Sequence, residues 1–276
     1  MSIRNILVAY NGTETAARAV KLAAHMARRL DAHLTGLFAH ALPYTYTQME
    51  AYLTADAIMA LDETHEKVER RVTEGFEALI AAEEQGLRSS FCCAQGMPND
   101  VLSAYARTYD LTVVGQPDGG KKSSVYVDPD PDTIALQSGR PVLVAPRGFE
   151  QFEASRGAMV AWDGKRAASR ALSDAMDLLE DEDKVTVLHV GNEDNVRAPG
   201  RDIMEHLSRH GLNVDLKNIP KGGLAISDII LNTCAESDVG LLVMGAYEHS
   251  RFSEMLLGGV TRDVLARTHI PVLMSH

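Results

Sequence analysis

Two features of the C-terminal half could together recognise a ligand. The first is a glycine-bearing stretch. Gly245 closes an apolar run, Leu241-Leu242-Val243-Met244, and Gly258-Gly259 stands just before a helix-like segment opening at Val260-Thr261. Free N–H groups at a helix start, with no Cβ in the way, form a cradle for negative charge. The second is Asp163, which ends the run Ala158-Met159-Val160-Ala161-Trp162. A carboxylate at the end of a strand can accept hydrogen bonds from a ribose or from a base edge. In a parallel sheet these two places flank the crevice beyond the strand ends where ligands bind.

The elements that must position these residues occur twice. Ile6-Leu7-Val8-Ala9-Tyr10-Asn11-Gly12 opens the chain as Ala158-Met159-Val160-Ala161-Trp162-Asp163-Gly164 opens its second part. Gly115 precedes Pro141 by 26 positions, and Gly245 precedes Pro271 by the same 26. In the first part, strands are expected at 5–10, 32–39, 87–95, 111–115 and 141–146, with helices over 13–30, a long stretch reaching 86, and 98–108. Strands at 157–162, 184–190, 213–219, 239–245 and 271–275 follow, with helices over 165–180, 199–210, 224–236 and 259–268. The strands are rich in Val, Leu and Ile without polar alternation, so both faces of each sheet must be covered. The expected fold class is α/β: two tandem, doubly wound, parallel five-stranded sheets of the flavodoxin-like or Rossmann-like kind. The expected domains are 1–147 and 155–276, joined by a linker around Pro146–Glu153. The first part also carries extra sequence between its second and third strands, including Tyr44, Tyr46, Met49 and Tyr52. It reads as a longer helix packing on the other domain, or as a lid over a cleft.

Length and composition set the outer bounds. A chain of 276 residues accommodates two domains, and 45% apolar with 24% charged residues is the balance of a globular protein. A formal net charge of −11 disfavours nonspecific contact with nucleic acid or an acidic membrane. No apolar run approaches a membrane span, and MSIRNILVAYNG is too short for a signal peptide. Cytoplasmic location is expected. Cys92, Cys93 and Cys234 have no metal-ligand spacing, which suits a reducing compartment. No nucleophile elbow, Walker loop with its lysine, His-Glu-x-x-His or Cys-x-x-Cys is present. Enzyme activity therefore has little support, and no metal site is expected beyond a magnesium ion carried by a nucleotide.

The order Asp163 … His189-Val190 … Met244-Gly245 … Gly258-Gly259-Val260-Thr261 … Pro271-Val272-Leu273 resembles the universal stress protein family. The resemblance covers nearly the whole chain as two tandem copies and is specific in the second. It implies ATP or AMP binding in the second copy only. Ala161, Trp162 and Asp163 would lie near adenine and ribose, and Val190 and Met244 would line the base pocket. Gly245, Gly258, Gly259, Val260 and Thr261 would meet ribose and phosphates. It also implies an internal pseudo-dimer in which Pro141–Val144 pairs with Pro271–Met274. A regulatory protein partner and association of two chains stay open.

Two departures bear on this. Glu248 stands where the family pattern has a second glycine, and Gly259 where it has Ser or Thr. A carboxylate about 5 Å from a phosphate costs roughly 3 kcal/mol per unit charge at an effective dielectric near 20. In the first copy Asp118, Asp128, Pro129 and Pro131 replace the cradle, and Asn11 replaces the aspartate. Proline removes a donor and aspartate adds charge where an anion would sit, so that copy is read as degenerate. The reading is a nucleotide-responsive binding module, with a ligand-free interaction scaffold and a slow ATPase as alternatives. Lesser candidates are read blandly. His206 and His210 are read as solvated, His189 as a packed structural histidine, His249, Ser250 and Arg251 as exposed loop, and Cys234 as core.

Overall fold

The protein is described from a computed structural model. It describes residues 2–41, 54–83, 86–117, 128–151, 156–180, 182–191, 202–246 and 259–276. Along the first half run β1 (Asn5–Ala9), α1 (Glu14–Arg29), β2 (His33–His40), α2 (Ala55–Ala82), β3 (Ser89–Gln95), α3 (Pro98–Ala106), β4 (Leu111–Gly115), α4 (Pro131–Ser138) and β5 (Val142–Ala145). The second half continues with β6 (Ala158–Ala161), α5 (Arg166–Leu179), β7 (Val185–Val190), α6 (Ile203–Arg209), β8 (Val214–Ile219), α7 (Ile226–Ser237), β9 (Leu241–Gly245), α8 (Val260–Arg267) and β10 (Val272–Ser275).

The strands lie in the order β3-β2-β1-β4-β5-β10-β9-β6-β7-β8. Within each half every pairing is parallel, and the two parallel sheets meet edge to edge through the antiparallel pair β5–β10. In that pair Leu143 faces Leu273, with Val144 opposite Val272 and Val142 opposite Met274. Leu143 and Leu273 are equivalent positions of the two copies, so a pseudo-two-fold axis passes between them. The expected internal pairing of the two closing strands is thus present. It leaves neither closing strand as an open edge, a position that otherwise invites pairing with other chains.

Parallel strands joined by helical crossovers bury both faces, and this sheet does so. One face carries α1, α2, α5 and α6 over residues such as Val8, Val113, Val160 and Val243. The other carries α3, α4, α7 and α8 over Leu7, Val114, Met159 and Leu242. Each buried aliphatic contributes about 1.5–3 kcal/mol, and the alternation along each strand assigns neighbours to opposite faces. Cys234 belongs to the second face, with its Sγ 3.5 Å from Met159 Sδ. Burial pushes its thiol up to about 12.

Polar contacts add to the junction of the halves. Arg29, at the end of α1, reaches Glu182 Oε1 at 3.2 Å and donates to the Leu178 carbonyl at 2.9 Å. The Glu182 side chain is 1% exposed. Gln116 Nε2 donates to the Leu265 carbonyl at 2.6 Å, and the Ile3 amide donates to Asp177 Oδ2.

The extra sequence of the first half is largely α2, 28 residues long against 7 for α6. Among the described residues its main packing is on α1, β2 and β3 of its own half, whereas the sequence led us to expect packing on the other domain or a lid. Phe76 of α2 fills the space beside Gly36 and packs on Tyr10 and Phe91. Tyr44, Tyr46, Met49 and Tyr52 lie outside the described residues.

Candidate functional site

Beyond the C-terminal ends of β6, β7 and β9 lies a cavity of about 270 Å³. Three chain segments build its base. Strand β7 supplies Leu188 and Val190, β9 supplies Met244 and Gly245, and β6 delivers Ala161, Trp162 and Asp163 as the chain leaves the sheet. Three helix starts close the sides: Lys165, Ala167 and Ala168 from α5, Ile226 and Ile230 from α7, and Val260 and Thr261 from α8. Eight of the ten sequence-predicted residues therefore meet here. Gly259, the buried N-cap of α8, borders the group without lining the cavity. Gly258 lies outside the described residues, as do Glu248, His249, Ser250 and Arg251.

The wall is apolar at depth and polar at its mouth. Leu188, Ile230 and Met244 are buried, whereas Asp163 and Lys165 are exposed. Trp162 is half-buried and forms part of the wall, leaving the cavity open. Its backbone is held twice: its N–H donates to the Leu188 carbonyl at 2.8 Å, and its carbonyl lies 2.8 Å from His189 Nδ1. His189 is thus a buried structural histidine, and it anchors the point where Trp162 and Asp163 leave the sheet. Asp163 Oδ1 accepts from the Lys165 N–H at 3.0 Å, which ties the strand-to-helix turn. Gly164 in that turn has φ +77°, a conformation that glycine adopts without a steric penalty.

The N-terminal N–H groups of a helix have no partner within it and carry the positive end of its dipole. Neither Lys165, Ala225 nor Gly259 caps its helix through a side chain. All three of those helices reach the cavity. By contrast α6, which does not line it, is capped by Asp202. Negative charge is favoured at such a place.

At the equivalent place in the first half, both helix starts are capped by side chains of the chain itself. Thr13 Oγ1 caps α1 by accepting from Ala16 N, and Asp130 caps α4 by accepting from Asp132 N. Asn11 Nδ2 donates to Asp128 Oδ1 at 3.3 Å, joining the end of β1 to the segment that stands where the second half has Gly258. Of the residues expected to spoil the cradle, Asp128 thus places its carboxylate against Asn11, and Asp118 lies outside the described residues. Tyr10, the counterpart of Trp162, is 6% exposed and packs on Phe76 and Phe91.

Gly245 requires a different account from the one its sequence suggests. A Cβ there would lie 2.5 Å from Ala168 N and 2.7 Å from Ala167 C. The glycine lets α5 pack tightly on β9. Gly115 does the same in the first half, where a Cβ would meet Thr15 at 2.6 Å. Lys165, Ala167, Ala168, Leu188, Ile226 and Ile230 line the cavity without having been singled out in the sequence. The helix period of α5 and α7 was legible, but which turn faces the crevice depends on the crossovers.

Residues 2–146 and 223–276 match the universal stress protein family. The chain belongs to the universal stress protein family. Among curated relatives, Universal stress protein Slr1230 of Synechocystis sp. is 24% identical over 186 residues, which is 63% of this chain. The match spans 60% of that relative's length. Among solved structures, a universal stress protein from Archaeoglobus fulgidus superposes with a TM-score of 0.72 at 17% identity, over 98% of this chain and 95% of that one. A universal stress protein structure from Pseudomonas aeruginosa UCBPP-PA14 gives 0.56 at 16% identity, covering 99% and 93%. At these identities the likeness is one of fold, extending over both halves.

Among the described residues, no group of three or more His, Cys, Asp or Glu side chains could hold a metal ion. His206, on the exposed side of α6, and His210, its C-cap, pack edge to face with ring centroids 4.9 Å apart. No helix among the described residues is long and apolar enough to cross a membrane.

Proposed function

We propose that this universal stress protein binds an adenine nucleotide, ATP or AMP, in its second half and responds to it as a regulatory module. The observation that carries the reading is the cavity where apolar strand ends, Asp163 and three helix starts without side-chain caps converge. Its volume of about 270 Å³ sits near the lower end of the ~300–1,000 Å³ usual for small-molecule pockets. That size suits a base and ribose, with phosphates toward the helix starts. Residues 155–276 form the nucleotide-binding domain in this reading, and 1–147 the domain whose site has closed. Ligand occupancy alters a surface that a cytoplasmic protein partner reads.

The experiment is extraction of bound nucleotide from the purified full chain, followed by calorimetry with ATP, ADP and AMP. Binding of at least one at micromolar to submillimolar level, lost in Asp163→Ala, supports the reading. No heat at millimolar ligand would refute it and leave an interaction scaffold.

A further inference from the structure

We infer that the outer edge of the sheet at β3 is a homodimer interface, at which a second copy of this chain pairs its own β3 antiparallel. The sheet has two outer strands, β3 and β8. Strand β8 exposes Asp215 and Lys217, and charged side chains on an edge deter pairing. Strand β3, Ser89-Ser90-Phe91-Cys92-Cys93-Ala94-Gln95, has no charged residue, proline or glycine. Leu34 N donates to the Arg88 carbonyl and Gly96 N to the His40 carbonyl, so the even-numbered residues bond inward to β2. The N–H and C=O groups of Ser89, Phe91, Cys93 and Gln95 therefore face outward. A two-fold axis at Cys92 sets Ser89 opposite Gln95 of the second copy, and Phe91 opposite its Cys93. All four outward residues of each strand are then hydrogen-bonded. An axis at Phe91 or at Cys93 leaves one outward residue of each strand unmatched. The sheet already grows once by antiparallel edge pairing about a two-fold axis, at β5–β10.

A second observation lies beside this edge. Among the described residues, the large apolar side chains left exposed are Met59, Met97, Tyr105 and Leu224. Met97 and Tyr105 stand with Val101 at four-residue intervals along α3, which puts all three on one flank. On the opposite flank, Asn99 Oδ1 accepts from the N–H of Asp130, the cap of α4. Helix α4 packs on β5 and β10, and α3 on β2 and β1, so the apolar flank of α3 looks toward β3. Val101 agrees with that direction: a Cβ on Gly96, the residue after β3, would meet its Cγ2 at 2.7 Å. An antiparallel strand pair has its two-fold axis perpendicular to the sheet. Both α3 helices thus come to the same face, and their apolar stripes look toward each other over the joined strands. Completion of the ladder and cover for the exposed stripe fall at one place. The contact is isologous, so it closes at two copies and leaves the charged β8 strands outermost.

The experiment measures self-association of the purified full chain by light scattering and analytical ultracentrifugation. Ser89 and Gln95 are exposed, so both can be replaced without touching the core. Ser89→Lys with Gln95→Lys sets lysine opposite lysine at two places of the interface. Ser89→Lys with Gln95→Glu sets lysine opposite glutamate at the same two places. The dimer should be at least about tenfold weaker in the first double variant than in the second. Thermal melts verify that both fold. Cys92 reports the register, because on the axis it forms a non-hydrogen-bonded pair with Cα atoms about 4.5 Å apart, within disulfide reach. Diamide should crosslink the unaltered protein and Cys93→Ser into a covalent dimer, but not Cys92→Ser. A chain that stays monomeric at about 0.1 mM overturns the inference. A dimer equally stable in both double variants, or one that Cys92 does not crosslink, uses another surface or register and overturns it as well.

Discussion

The pair Gly115→Ala and Gly245→Ala separates packing from ligand recognition. In each copy, the glycine ending the fourth strand lies under the first turn of a helix. A Cβ on Gly245 would meet Ala168 N at 2.5 Å and Ala167 C at 2.7 Å; one on Gly115 would meet Thr15 Cγ2 at 2.6 Å and Thr15 O at 2.7 Å. Both conflicts include backbone atoms, which cannot rotate aside, so the helix must move outward. Overpacking of this kind costs about 1–3 kcal/mol. At about 2–4 °C per kcal/mol for chains of roughly this size, each variant should lower Tm by several degrees. Differential scanning calorimetry measures this. The two variants should then diverge in AMP titration. Gly245→Ala displaces the α5 turn that lines the cavity and should weaken AMP by about tenfold or more, the worth of one lost charge-assisted hydrogen bond. Gly115→Ala disturbs the first copy and should leave AMP affinity within about twofold. An undiminished Tm in Gly245→Ala would refute the packing argument. Equal loss of AMP binding in both variants would show a global effect, not a local one.

Three further outcomes follow from single contacts. Asp163→Asn should keep the turn, because Asn11 makes the same bond in the first copy, and should change stability by less than about 0.5 kcal/mol in urea melts while weakening AMP. Glu182→Gln should cost about 3–5 kcal/mol in the same assay, since it removes one partner of an ion pair whose carboxylate is 1% exposed. For Cys234, burial raises the folded thiol to about 12 from an ordinary value of 9.0, so the unfolded chain releases its proton first. Its contribution is therefore full below about pH 9 and declines above it, by at most about 1.4 kcal/mol per pH unit. Urea midpoints at pH 8 and pH 10.5 should differ less in Cys234→Val than in the unaltered protein. An identical slope would show that the thiol plays no part.

The residues that line the cavity were only partly legible in advance. Asp163, Val190, Met244 and Thr261 could be named because each ends a strand or starts a helix, and in a parallel sheet those places converge. Lys165 carried no such signal: as a residue type it reads as an ordinary exposed helix start, and only the packing of α5 on β9 brings it to the cavity. The departures of the first copy were visible as Asn11, Asp128 and Pro129, but not that Asn11 would bond to Asp128.

Hydrophobic periodicity and the doubled Gly-to-Pro spacing determined the alternating strands and helices, the parallel sheets and the two-copy plan, because such patterns follow from local geometry. Tertiary structure alone decided three matters: that the copies join through Leu143 and Leu273, that α2 seals Tyr10 while Trp162 lines an open wall, and that Gly245 serves helix packing. Each depends on atoms more than twenty residues apart in the chain meeting at van der Waals distance, and no local pattern encodes such distances.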